Sequence, residues 1–251
     1  MFTGKEREDI RQYLLKVAKK DARLSGGAIT GSVTIGKEDQ WSDIDLAFGV
    51  TYPEDIANCL SDYSSMMYEK YQAVHHLDVV SGQWLYRVFF LPNTLQVDIA
   101  FAPKCDFRPK AQTFSLVFGE ALELSVSKKA PVDELVGWTW LYALHVRSSL
   151  ARNKRWQAEF MISGMRDKVF ELTCRRYNLI TKEAREIDLL PEEILRSRED
   201  GLVRSLDLNE LKRAFSVVAS SFLAEVSLFD RNLESKLRPV VIDLVELSLK
   251  N

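Results

Sequence analysis

Cysteine is scarce in this chain of 251 residues, and the three present, Cys59, Cys105 and Cys174, lie far apart. No Cys-x-x-Cys pair and no Cys/His cluster occurs, which excludes a zinc finger or ribbon and leaves no even set for a disulfide framework. Reduced thiols and a cytoplasmic setting are the expectation. Long apolar runs are missing as well. None approaches the roughly 18 residues that span a bilayer, and residues 1–20, MFTGKEREDIRQYLLKVAKK, lack the apolar core of a secretory signal. Nor is there an excess of either charge: 34 Lys+Arg stand against 36 Asp+Glu, a formal net charge of -2. That balance supplies no electrostatic footprint for long nucleic acid and favours a small-molecule partner. Repeats and low-complexity segments are absent. Histidine is rare, and His75 and His76, neighbours in a strand pattern, point to opposite faces and cannot share one ion.

What is present divides into two halves. With 46% hydrophobic residues the chain can bury one large core or two modest ones. Ile10, Leu14, Val17, Ala18 and Leu24 recur at helical spacing, predicting a first amphipathic helix that ends near Gly26-Gly27. A short buried strand, GAITG, follows, then the strand DIDLAFGV, the helix EDIANCLSDYSSMMYEKY, and the strand-like runs HHLDVV, WLYRVFFL and TLQVDIAFAP. Pro92-Asn93 marks a turn that joins the last two as a hairpin. From Pro131 onward the pattern is helical, with Pro131 near one helix start and Pro239 read as the first turn of the last helix. The composition shift near 125–131 is the expected boundary, dividing a domain of residues 1–130 from a helical domain of residues 131–251. The fold class expected is α+β, a mixed sheet with helices followed by a helical bundle.

One stretch departs from core grammar. In Thr30 to Val50, TGSVTIGKEDQWSDIDLAFGV, Asp43 and Asp45 stand one residue apart inside an apolar strand pattern. Residues i and i+2 of a strand share a face, so the two carboxylates project together and repel unless a cation lies between them. A hard divalent ion such as Mg²⁺ takes oxygen ligands from one or two carboxylates and from substrate phosphates. Asp98, in the strand TLQVDIAFAP, is a third acid that joins them if the strands are neighbours. Three acids can hold two ions about 4 Å apart, the clamp used in phosphoryl transfer. Gly31 permits close backbone approach to a phosphate, and Ser32 supplies a hydroxyl beside turn N–H groups that face an anion.

Gly31-Ser32, the intervening residues 33–42, Asp43-Ile44-Asp45, and Asp98 on a later strand together resemble the DNA polymerase beta-like nucleotidyltransferase superfamily. The helical half is similar to that of the bacterial aminoglycoside and lincosamide adenylyltransferases in size, domain order and the helix RWQAEFMISGMRD. The resemblance implies transfer of a nucleoside monophosphate, AMP from ATP, onto a hydroxyl of a small molecule, with release of pyrophosphate and two Mg²⁺ ions as cofactor. It implies Asp43 and Asp45 as ligands of both ions and Asp98 as ligand of one. Whether Asp98 is also the general base stays open. The cleft between the domains would hold the acceptor. Lys37 is a further candidate for the phosphates, although Lys37, Glu38 and Asp39 also read as a solvated loop. In the helical half, Glu159 and Arg166 share a helix face and are candidates for the acceptor, with a structural ion pair to Arg152 or Asp167 as the other reading. Arg87 reads as a surface charge, His145 as a packing residue, and Trp138, Trp140, Tyr142 and Trp156 as core or packing aromatics. Two other functions remain in view: transfer to RNA or protein, and nucleotide binding without turnover.

Overall fold

The computed structural model describes residues 1–124 and 130–250, with side chains to Ser248. The chain divides into two compact units, Met1–Lys128 and Lys129–Asn251. The expected boundary near 125–131 falls largely on residues 125–129, outside the described residues.

The first unit is α+β. Helix α1 spans Gly4–Ala18 and opens with a capping box, the Glu6 N–H donating to Thr3 Oγ1 while Glu6 accepts from the Thr3 N–H. Six strands follow: β1 Leu24–Thr30, β2 Ile44–Val50, β3 His75–Ser81, β4 Trp84–Phe90, β5 Gln96–Pro103 and β6 Phe114–Gly119. Helix α2, Ile56–Tyr71, lies between β2 and β3 in sequence. The strands form one sheet in the order β3-β4-β5-β2-β1-β6. Only β2 and β5 run parallel; the other neighbours are antiparallel. The expected hairpin across Pro92-Asn93 is β4–β5.

Alternation along the strands gives the sheet two unlike faces. Ile44, Leu46 and Phe48 of β2, Val97, Ile99 and Phe101 of β5 and Phe89 of β4 are buried in the main core together with Leu14 of α1 and Tyr63 and Met67 of α2. The other face carries small residues, Ala28, Ala47, Ala100 and Ala102, under Trp84 and Phe107.

Two readings of this half are corrected. Gly26-Gly27 do not end α1: the helix stops at Ala18, and both glycines, with Leu24, belong to β1. A β-carbon at Gly27 would lie 2.2 Å from the Phe118 ring, so glycine stands there because an aromatic of β6 occupies the space. β6 itself has no counterpart in the sequence reading, since FSLVFG is a short run without flanking turn dipeptides.

The second unit is helical: α3 Val132–Ala151, α4 Arg155–Arg176, α5 Glu192–Glu199, α6 Leu208–Phe229 and α7 Arg231–Lys250. Helices α3, α4, α6 and α7 pack in a closed ring of four around Ile162, Met165, Phe215 and Phe222. Gly164 lets α4 approach α3 closely, a β-carbon there falling 3.2 Å from the Tyr142 ring. Pro239 lies inside α7 and not at its first turn; the helix starts at Arg231, where Asp230 accepts from the Asn232 and Leu233 N–H groups. Of the four aromatics expected in the core or in packing, Tyr142 packs against the helical core, whereas Trp138, Trp140 and Trp156 are exposed, as is His145. Deep in this unit, Glu225 of α6 is buried between Arg176 of α4, at 2.9 Å, and Arg198 of α5, at 2.6 Å. No helix among the described residues is long and apolar enough to cross a membrane.

Candidate active site

β2 and β5 are adjacent and parallel, and their register sets Asp45 beside Asp98 and Ala47 beside Ala100. Both acids therefore stand on the small-residue face, while Ile44 and Ile99 enter the main core. Asp43 precedes β2 by one residue yet its carboxylate joins the other two. Ligand oxygens of Asp43, Asp45 and Asp98 all lie within 4.8 Å of one another, and all three residues are half-buried. The Gln96 side-chain amide bridges two of them, donating to Asp43 Oδ2 at 3.2 Å and to Asp98 Oδ1 at 3.0 Å.

Burial is the main force on Asp98 and pushes its carboxyl up to about 6; the Gln96 amide pulls it down, and the Asp43 charge pushes it further up. Three carboxylates this close, one resisting ionisation, suit a hard divalent cation such as Mg²⁺, which takes oxygen donors. The donor set fits that ion, and no Cys or His belongs to it.

Gly31 is built into the same cluster. Its φ is 80°, a left-handed conformation that side chains other than glycine adopt rarely, and a β-carbon there would fall 2.1 Å from Asp45 Oδ2. The missing side chain thus makes room for a carboxylate, a role beyond the expected approach to phosphate. Ser32 follows and opens a short turn of 3-10 helix, Ser32–Ile35, its Oγ 3.2 Å from Ser42 Oγ. Lys37 is exposed, and its backbone N–H donates to the Ser32 carbonyl.

In the loop between the two motifs Lys37 and Asp39 are exposed, as the solvated reading expects, but Glu38 is not free in solvent and the loop is tied down. Two buried arginines of α1 hold it: Arg7 reaches Glu38 at 3.1 Å and donates to the Asp39 and Ser42 carbonyls, and Arg11 pairs with Glu38. The residue before Asp43 is therefore anchored to α1. Sequence reasoning missed these arginines because Arg7 and Arg11 sit four apart on an otherwise ordinary amphipathic helix; the signal available was that they share its apolar side with Ile10 and Leu14.

Arg87 pairs with Asp78 at 2.6 Å on the face opposite the acids, bordering a groove of about 810 Å³ between α2 and β4. That groove carries no acid of the triad. In the helical unit Glu159 accepts from Ser163 Oγ at 2.7 Å, and Arg166 pairs with Asp167 at 3.0 Å.

No family model matches the chain, and no curated protein matches it. Among solved structures, it is similar to an aminoglycoside 6-adenyltransferase from Bacillus subtilis at 13% identity, covering 97% of this chain and 99% of that one, with a TM-score of 0.38. A likeness at that score carries no inference about chemistry.

Proposed function

We propose that this chain is a nucleotidyltransferase that moves a nucleoside monophosphate, AMP from ATP, onto a hydroxyl of a small molecule. The observation that carries the reading is the convergence of Asp43, Asp45 and Asp98 from two adjacent parallel strands, next to the Gly31-Ser32 turn. When bound there, Mg²⁺ supplies positive charge beside the triphosphate. Gly31 and Ser32 receive the phosphates, with Lys37 as a further contact. An acceptor hydroxyl oxygen forms a bond to the α-phosphorus, the bridging bond to the β-phosphate breaks, and pyrophosphate leaves with its electron pair. The hydroxyl proton passes to the Asp98 carboxylate and on to solvent. Gln96 orients Asp43 and Asp98 through its amide. Glu159 and Arg166 stay candidates within the helical unit, and hydroxylated antibiotics of the aminoglycoside and lincosamide types are the first acceptors to compare.

The test is pyrophosphate release from ATP and Mg²⁺ with a panel of hydroxylated acceptors. Release should appear with at least one acceptor and fall to background in Asp43→Asn. An Asp43→Asn protein as active as the parent would sink the reading.

A further inference from the structure

In-line displacement places the attacking and leaving oxygens on opposite sides of the phosphorus. If, as proposed above, pyrophosphate departs on the Gly31-Ser32 side, the acceptor must arrive from the other side of the acids. The sheet order makes that side definite. Gly31 follows β1; Asp45 is on β2 and Asp98 on β5; next come β4 and then β3 at the edge. The acceptor therefore lies over β4 and β3, on the face that bears the acids.

Register identifies what it meets there. Val88 of β4 is directly opposite Asp98, and Leu77 of β3 is opposite Val88. One step along, Tyr86 is opposite Ala100 and Val79 is opposite Tyr86. With strands about 4.8 Å apart, this strip starts one strand from Asp98 and extends about 10 Å. Leu77 is 61% exposed and Val79 is 44% exposed, while Val88 and Tyr86 are half-buried. The four carry no charge. The ionic residues of these two strands, Asp78 and Arg87, point to the opposite face and pair with each other. The next carboxylate on this face, Asp106 at the Tyr86 end, is already engaged by Trp84 Nε1 at 2.9 Å, Arg108 at 3.2 Å and Lys110 at 3.3 Å. Outside the triad a polycation therefore finds no unengaged acid along the strip among the described residues, whereas an apolar group finds Val88, Leu77, Val79 and the Tyr86 ring to cover.

We propose that the acceptor is a hydroxylated compound with an uncharged, apolar flank, and that this flank lies across Val88, Leu77, Tyr86 and Val79 with the reacting hydroxyl held at Asp98. The inference rests on the nucleotidyl-transfer reading and names its substrate class. The transfer it serves is the same: the acceptor oxygen bonds to the α-phosphorus of the nucleoside triphosphate, the α–β bridging bond breaks, pyrophosphate leaves and the hydroxyl proton is lost.

The experiment uses the full chain with ATP and Mg²⁺, measuring pyrophosphate release with matched neutral glycosides, methyl glucoside and octyl glucoside below its micelle concentration, and with the polycation kanamycin. Burial of even two methylenes changes affinity about tenfold, so KM for the octyl compound should be about tenfold or more below that for the methyl compound. Leu77→Asp, and separately Val79→Asp, should raise the octyl KM until the ratio approaches one, leaving the dissociation constant for Mg²⁺·ATP as in the parent. Both positions are exposed, and circular dichroism verifies folding. A preference for kanamycin, equal KM values for the two glycosides, release with neither glycoside, or a Leu77→Asp effect confined to oligomeric state on sedimentation overturns the acceptor proposal. Failure of the nucleotide reading is separate: it would appear as no Mg²⁺·ATP binding by calorimetry, or as binding unchanged in Asp45→Asn.

Discussion

Gly31 and Asp45 compete for one volume: a β-carbon on Gly31 would lie 2.1 Å from Asp45 Oδ2, and Gly31 holds φ at 80°. Gly31→Ala therefore meets both backbone strain and a displaced carboxylate. Strain of this kind costs roughly 1–3 kcal/mol. The expected result is a folded, less stable protein whose Mg²⁺·ATP affinity falls by about tenfold or more, the scale on which misplaced ligands act. Calorimetric titration alongside thermal unfolding checks it. A variant with parental nucleotide affinity would show that Asp45 need not stay where it is.

Asp98→Asn removes one of three clustered carboxylates while keeping the shape and the position beside Gln96. Without metal, the variant should unfold at a higher temperature than the parent, because like-charge repulsion and the cost of burying an ionised carboxylate are both relieved. With ATP, Mg²⁺ and acceptor, its rate of pyrophosphate release should drop to background. Opposite signs for stability and activity are the signature of acids clustered for binding; a fall in both would indicate a structural role.

Glu225 is buried with Arg176 and Arg198 against its two oxygens. Glu225→Gln leaves two guanidinium groups without their carboxylate, one of them well buried. Breaking a buried pair from one side costs about 3–5 kcal/mol. Urea unfolding should report a loss of that order. A loss under 1 kcal/mol would mean that the arginines turn outward at little cost.

Glu210, in the first turn of α6, accepts from Arg213 at 2.7 Å and from the Arg204 N–H at 3.0 Å. These bonds, Arg213 first, hold its carboxyl down at about 2 against an ordinary 4.5. A carboxyl depressed on folding stabilises the fold above its unfolded value, and that contribution disappears as pH falls through the folded value. Between pH 4.5 and 2 the parent should therefore lose stability faster than Glu210→Gln. Chemical denaturation in steps across that range distinguishes this from parallel curves.

Much of this arrangement was legible without coordinates. Asp43, Asp45 and Asp98 each stand in or beside an apolar strand where a carboxylate is costly, and a period of two puts Asp43 and Asp45 on one face. Helical periodicity outlined the body of α1, though not its end, and the helices after Pro131. Elements governed by distant contacts were not legible. Gly26-Gly27 read as a helix stop although aromatics from later in the chain, Phe107 and Phe118, cover them in β1. Glu38 read as solvated although two arginines of α1 hold it.

Local chemistry, then, is written in the chain: most of the helices and strands, β6 excepted; where a carboxylate is out of place; and where glycine precedes serine. Tertiary structure alone decided that β5 lies next to β2, so that Asp98 meets Asp45, and that β4 and β3 extend beyond it with an uncharged strip. The physical reason is that strand order and register arise from burying one whole sheet face at once, a sum over side chains far apart in sequence. No short window of residues carries that sum.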